Sequence, residues 1–468
     1  MPEQKIFRQI MCNKQLTIFL TLVFSEEDIK NLAPTPGAFI AGKKLSDKGN
    51  WLLFAKSERA IWGQIKGSGK NPYSTQLDIV SVAYKCSCPS RQFPCKHSIA
   101  LMLLYADTAK DFPSEDEPEW VKSWLSRRES KVSKELAVEK DKTPEELEKS
   151  EQAKQKNQEQ RLKDVSIGVE ELELWLKDLV RMGFLELPNK PKSEFLKVAS
   201  RMVDSKAPGL ASWVKSLAAL NFENPNEWHA GAVKITAKLY LLIKTYKNYD
   251  KLDPLWKITI KNLLGWNQSS KELLALPDAD TQKDEWLIIG QETEEIEEIV
   301  VQRNWLVGCK SHRNALILNF ASKFQGFENN FLPGTTLEAE LAFFPSVIPH
   351  RAVVKMQRKL INGLNELPEF FTEWKQVFDF KAQQMLKNPW INDLVILIKN
   401  VKLRMQENTW CVCDKNEQYV QVIDNFDLEK ILKWQIISGN RRDDIALIIR
   451  DNMVFPLGIF NESKYQLF

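Results

Sequence analysis

Cysteine is scarce in this chain, with seven residues in 468. That is far too few for a disulfide scaffold. No apolar run near the start reaches the roughly 20 residues that a helix needs to cross a bilayer. The longest there, Leu16 to Phe24, is flanked by Lys14 but followed by no small-residue cleavage site. It reads as a strand or an appended leader, and the protein as cytoplasmic with no membrane partner. The tripeptide G-K-[ST] occurs nowhere, which excludes an ATP motor of the phosphate-loop type. Gly67-Ser-Gly-Lys70 is therefore a turn, since Gln64 and Asn71 break the pattern on either side. Histidine is rarer still, with four. His229 and His350 stand without a Ser, Cys or Asp partner that the sequence nominates, so no nucleophilic triad assembles.

Net charge is also nearly absent, because 65 Lys plus Arg face 62 Asp plus Glu. Its distribution is more informative. Residues 1–110 hold 15 basic and 8 acidic side chains, an excess of +7, and the remainder carries −4. A basic N-terminal piece is joined to a mildly acidic body, so an anionic partner suits the first better than the second. With 43% hydrophobic and 27% charged residues, the composition is that of a globular protein of roughly two to four domains.

Four spans follow from the patterning. Residues 1–112 read as a small module with a helix after Ser25-Glu26-Glu27-Asp28, another from Pro36 to Asp47, and strands at Trp51–Ala55, Ala60–Gly63 and Gln76–Tyr84. Residues 113–165 form a charged linker, because 126–165 contain 21 charged side chains in 40 and almost no bulky apolar ones. Such a stretch is a solvated helix or a tether. In 166–280 the period is helical, as in Leu210, Trp213, Val214 and Leu217. In 281–468 alternation such as Leu337, Ala339, Leu341 and Phe343 marks half-buried strands. Helical spacing at Phe371, Trp374 and Phe378 and a hairpin–helix–hairpin end complete an α+β domain with antiparallel sheet. No fixed-period repeat is detectable. The expected class is α+β and multidomain.

The stretch that carries chemistry is Cys86-Ser-Cys88-Pro-Ser-Arg-Gln-Phe-Pro-Cys95-Lys-His97, or C-x-C-x6-C-x-H. Residues i and i+2 of an extended segment point the same way, so Cys86 and Cys88 reach one ion. Pro89 and Pro94 bend the connection back, and Cys95 and His97 arrive together at the start of an apolar helix. Three thiolates and an imidazole are the donor set that selects zinc, and four protein ligands close the tetrahedron. One structural rather than catalytic zinc is expected.

This stretch resembles the SWIM-type zinc finger, in which C-x-C and C-x-H pairs are separated by a variable spacer. The metal role carries over to Cys86, Cys88, Cys95 and His97, which fill all four ligand positions. The context around Leu45–Lys48, Trp51, Trp62-Gly63 and Pro72-Tyr73 is similar to a bacterial branch of SWIM finger proteins. So are the phrases Arg201-Met-Val-Asp204, Ala207-Pro-Gly-Leu-Ala211, Trp305-Leu-Val-Gly308 and Leu332-Pro-Gly-Thr335. Residues 1–24 lie outside the resemblance. It implies zinc binding and a DNA- or protein-binding role, and no reaction for the C-terminal body.

The remaining clusters carry less. Cys309 and His312 have C-x-x-H spacing, and Cys411 and Cys413 share one strand face, but no second pair accompanies either. Asp278, Asp280, Asp284 and Glu285 read as a solvated acidic turn. Lys66, Lys70, Lys85, Arg91 and Lys96 interleave with Trp62, Tyr73 and Phe93. Cations beside aromatics suit backbone-led nucleic-acid binding, with Lys70, Lys85, Arg91 and Lys96 as the contacts. The expected function is non-enzymatic: a zinc finger that binds nucleic acid or a protein through residues 1–112, with no small-molecule substrate. The alternative is an enzyme or enzyme subunit targeted by the finger, with its active site in 281–468.

Overall fold

The computed structural model describes residues 25–67, 71–90, 92–137, 144–223, 225–296, 298–322, 330–361, 368–424, 426–439, 441–461 and 464–468, with 327 and 366. The chain is α+β and multidomain. Among the described residues no helix is long and apolar enough to cross a membrane. The apolar run Leu16 to Phe24 lies outside them.

Helix α1 (Glu26–Leu32) opens on a capping box, in which the Ser25 hydroxyl accepts from the Asp28 N–H and Asp28 accepts from the Ser25 N–H. The Thr35 hydroxyl caps α2 (Pro36–Lys43), whose proline takes the first turn. Strands β1 (Trp51–Lys56), β2 (Ala60–Ile65), β3 (Tyr73–Asp78) and β4 (Ala83–Cys86) form an antiparallel meander, and α3 (Lys96–Thr108) packs on it. The single strand expected over Gln76–Tyr84 is two strands. The Asp78 carboxylate accepts from the Val80 N–H at 3.0 Å and from the Ser81 hydroxyl at 2.9 Å, which folds a turn there. Val82 leaves that turn at φ +50°, a left-handed value unusual for a β-branched residue.

Helix α4 (Glu119–Ala137) begins inside the span read as linker, but its first turns belong to the finger module. Val121 and Leu125 are buried against Ala55, Ala60 and Trp62. The 39-residue α5 (Pro144–Met182) then enters a bundle with α6 (Lys192–Asp204), α7 (Pro208–Ala218), α8 (Pro225–Lys247) and α9 (Pro254–Leu263). Val165, Val169, Leu172, Leu176 and Leu179 of α5 face its core at helical spacing. At Gly209 a Cβ would stand 2.0 Å from the Leu263 carbonyl oxygen, so only glycine permits this approach of α7 to α9.

Glu173 is a buried carboxylate of the bundle, with Lys177 at 3.0 Å, Lys244 at 2.9 Å and Lys247 as partners. These bonds, that from Lys247 foremost, hold its pKa down at about 2. A depressed carboxylate contributes stability that is present above its unfolded pKa and lost as pH falls through the folded one. Acid melts of the wild type should therefore lose stability between about pH 4.5 and 2. Glu173→Gln should be less stable at pH 7 and flatter across that window; an identical acid limb in both proteins would refute the assignment.

Helix α10 (Ser270–Ala275) leads into a closed barrel of β5 (Thr281–Ile296), β6 (Ile299–Gly308), β7 (Asn314–Ser322), β8 (Thr336–Phe343) and β9 (Arg351–Ile361). The order is β5-β6-β7-β9-β8, with β7–β9 parallel and the other pairs antiparallel. This is a five-stranded Greek-key barrel, the class to which OB folds belong.

The chain ends in α11 (Trp374–Lys387), β10 (Asp393–Gln406), β11 (Thr409–Cys413), β12 (Tyr419–Gln421), α12 (Leu428–Ser438), β13 (Asp443–Arg450), β14 (Met453–Asn461) and β15 (Lys464–Leu467). The sheet order β12-β11-β10-β13-β14-β15 is symmetric about the β10–β13 pair. Two helix-plus-three-strand units, 374–421 and 428–467, thus face each other. No repeat was legible because the strands differ in length, 14 residues in β10 against 8 in β13.

These parts are fused. Leu287, Ile289, Trp305 and Val307 on the outside of the barrel share a core with Val395, Leu397, Ala446 and Ile448 of the last sheet. Arg450 clamps the joint through Glu292 at 2.6 Å and Asp393 at 3.1 Å. The Trp390 indole N–H donates to the Lys238 carbonyl at 2.9 Å and ties this sheet to the bundle. The finger's apolar core is continuous with the barrel interior, Ile99 to Tyr105 on one side and Trp286, Ile288 and Leu337 on the other. At that seam Asn330 donates from its side chain to the Val82 carbonyl at 2.9 Å and from its N–H to the Ser81 carbonyl at 3.3 Å.

Candidate metal centre

Strand β3 assembles the site. Its Thr75 is paired with Cys86 across the sheet, while its hydroxyl lies 3.3 Å from that of Ser98 in the first turn of α3. One strand therefore fixes both halves of the motif, C-x-C at the end of β4 and C-x-H at the start of α3. Cys95 occupies the N-cap position in extended conformation and makes no side-chain cap bond. The helix N-terminus favours negative charge there.

Cys86, Cys88, Cys95 and His97 come together, with all four ligand atoms within 4.8 Å of one another. A tetrahedron built on Zn–S and Zn–N bonds of about 2.3 and 2.0 Å has edges of roughly 3.4–3.8 Å. The His97 Nδ1 stands 3.8 Å from the Cys86 Sγ and 4.0 Å from the Cys95 Sγ. These residues fit a metal ion. Cys95 and His97 are buried, Cys86 and Cys88 half-buried. Ser98 Oγ lies 3.5 Å from the Cys95 Sγ, and the Tyr73 ring packs on the imidazole at 5.0 Å between centroids. Such outer contacts orient the ligands.

The three sulfurs compete for protons. A hydrogen bond from the Cys86 thiol holds Cys95 well below the usual thiol value against the cost of burial, with help from His97 and Ser98. The same bond and burial push Cys86 far up, and burial raises Cys88. The cluster thus holds one thiolate readily, and a cation would have to displace the other protons.

The family model of the SWIM zinc finger matches residues 73–106. The chain thus carries a segment similar to the SWIM-type zinc finger over the four-residue cluster. The model of the SWIM-associated four-helix bundle domain matches residues 160–264, which takes in α6 to α9 and the second half of α5. No curated protein and no solved structure matches the chain. Both matched descriptions carry the SWIM name.

The other sequence candidates are dispersed. Among the described residues the finger holds the one Cys/His/carboxylate group with metal-binding geometry. Cys309 is buried, its thiol pushed up to about 12 by that burial. The His312 Nδ1 accepts from the Glu369 N–H at 3.2 Å, and Cys411 and Cys413 are buried in the last sheet. His350 is half-buried, its Nδ1 3.0 Å from the Ile348 carbonyl oxygen. The acidic turn is not merely solvated. Asp280 pairs with Arg313, and the buried Asp284 accepts from the N–H groups of Glu285, Lys310 and Ser311.

Of the nucleic-acid contacts expected around the SWIM finger, Lys70 and Arg91 lie outside the described residues. Lys85 and Lys96 are exposed, as is Lys66, and none of these three makes an ion pair among the described residues. Both Lys85 and Lys96 adjoin a ligand in the chain. Trp62 is core, buried against Val121 and Leu125. Phe93 alone of the interleaved aromatics is exposed.

Proposed function

We propose that the finger holds one structural zinc through Cys86, Cys88, Cys95 and His97 and presents the lysines around it to a nucleic-acid backbone. The carrying observation is that Lys66, Lys85 and Lys96 surround a complete four-ligand set and have no carboxylate partner among the described residues. Four protein ligands leave no open position for water or substrate, so the metal stabilises the fold and catalyses nothing. Unpaired cations on a rigid support retain their full attraction for phosphate.

The body supports this division of labour. Barrels of this class bind oligonucleotides on the face of their second and third strands. Here Trp305 and Val307 of β6 and Leu316 of β7 are taken up by the core beneath the last sheet. The long end of β5 carries Glu292, Glu294 and Glu295, which repel phosphate. A cleft of about 560 Å³ between barrel and last sheet is lined by Glu292, Asp424, Asp427, Lys430, Arg450 and Phe455 among others, with no histidine, cysteine or serine. Its Arg450 is already engaged by Glu292 and Asp393.

With contacts from Lys70, Lys85, Arg91 and Lys96, log affinity for a single-stranded 20-mer should fall with log salt at a slope of roughly −3. Lys85→Ala with Lys96→Ala should flatten that slope by about 1.4 and leave zinc in place. Absence of binding to single- or double-stranded nucleic acid at about 50 mM salt would assign the face to a protein partner instead.

A further inference from the structure

An apolar groove of about 470 Å³ runs along the outside of the bundle between α5 and α8. Leu176, Val180 and Phe184 form one wall at spacings of four; Val233, Ala237 and Tyr240 form the other at four and three. Val180 is 52% exposed and Val233 51%. An apolar trough open on the surface of an otherwise well-packed bundle marks an interaction site.

Two further observations specify the occupant. Lys177 and Arg181 also line the groove, and no carboxylate does. Beyond one end Lys244 and Lys247 join Lys177 around the single carboxylate of Glu173, while Arg181 is balanced by Asp178. Counted with that end, the groove carries an excess of two positive charges. In its wall, the Thr236 hydroxyl is buried, with the residue 5% exposed, and makes no hydrogen bond. A buried hydroxyl without a partner costs free energy that an incoming polar group would recover.

We infer that this groove receives an acidic amphipathic helix from a partner protein. Apolar side chains at i, i+3, i+4 and i+7 fill a trough between two helices, the mode by which helices dock into grooves. Acidic residues along the edges of that helix meet Lys177, Arg181, Lys244 and Lys247, which fixes its polarity and rejects basic helices. Nucleic acid would use the cations but leave the apolar walls uncovered. The site is independent of the zinc finger and of any role proposed for it.

The test uses the full chain and two fluorescein-labelled peptides of about 18 residues, five helical turns. Both carry leucine at i, i+3, i+4 and i+7; one has glutamate and the other lysine at the polar positions. Anisotropy should show binding of the acidic peptide and at least about tenfold weaker binding of the basic one. Val180→Glu with Val233→Glu should weaken the acidic peptide by about tenfold or more. Both positions lie at the surface, and circular dichroism checks that the helices remain. Lys177→Glu with Arg181→Glu should weaken the acidic peptide and strengthen the basic one. Equal binding of the two peptides, no binding of the acidic one, or indifference to these substitutions would overturn the inference. So would sedimentation showing self-association that Val233→Glu abolishes, which would give the groove to a second copy of the chain.

Discussion

Replacing Cys95 by alanine is expected to take zinc from one equivalent per chain to none and to melt the finger. Cys95 is the ligand that the surrounding hydrogen bonds keep most acidic, and it couples the N-terminus of α3 to the thiols of β4. Apparent zinc affinities of about 10–16 kcal/mol in small fingers are as large as the roughly 5–15 kcal/mol that holds a whole domain, so the module should not stay ordered without the metal. Hydrogen exchange should show protection lost across β1 to α3 and kept in α6 to α9, whose core shares no residue with the finger. Cys309→Ala, at a buried thiol far from the cluster in sequence, is the control and should keep its zinc. A full zinc complement in the Cys95→Ala protein would refute the ligand assignment.

A comparably large effect is expected at Val82. It is fully buried in the seam with the barrel, and its carbonyl is taken by Asn330. Val82→Asp places a carboxylate where no water reaches, at a cost of several kcal/mol. The left-handed backbone there makes the comparison sharper. Asn and Asp tolerate φ +50° better than valine, so Val82→Asn recovers about 1 kcal/mol of strain against its lost apolar burial. The aspartate variant should therefore melt far below the asparagine variant, with finger and barrel no longer unfolding in one transition. Thermal scans in which the two variants coincide would show that the seam does not join them.

The Cys/His cluster was legible because its residues are close in sequence. Cys86 ends β4 with Cys88 two residues on, Cys95 and His97 are two residues apart at a helix start, and two prolines lie in the link. The β8 alternation from Leu337 to Phe343 and the helix at Trp374 and Phe378 were legible for the same reason, since a period needs only neighbours; Phe371, expected on that helix, lies ahead of it and is bridged to Ile398. What escaped was long-range. Nothing near Val82 announces Asn330, and nothing in β5 announces that β8 will close a barrel on it. Alternation cannot distinguish a closed sheet from an open one. Val121 and Leu125, with Trp120 and Trp124 beside them, precede the charged run, and the strands they pack on, with Ala55, Ala60 and Trp62, lie far back in the chain. Asp284 read as solvent-facing because its three N–H donors lie in its own backbone neighbour and in the turn after β6.

The continuity of the finger core with the barrel sets an order of events during synthesis. The ligand cluster spans twelve consecutive residues, Cys86 to His97, and can close as soon as it leaves the ribosome. The seam cannot, because Asn330 and the strands up to Ile361 follow residue 112 by about 250 residues. At roughly 5–20 residues per second, the nascent finger waits about 12 to 50 s for the surface that covers Val82. With zinc held as proposed, metal availability rather than tertiary packing would decide over that interval whether the module persists or is surrendered to chaperones and proteases.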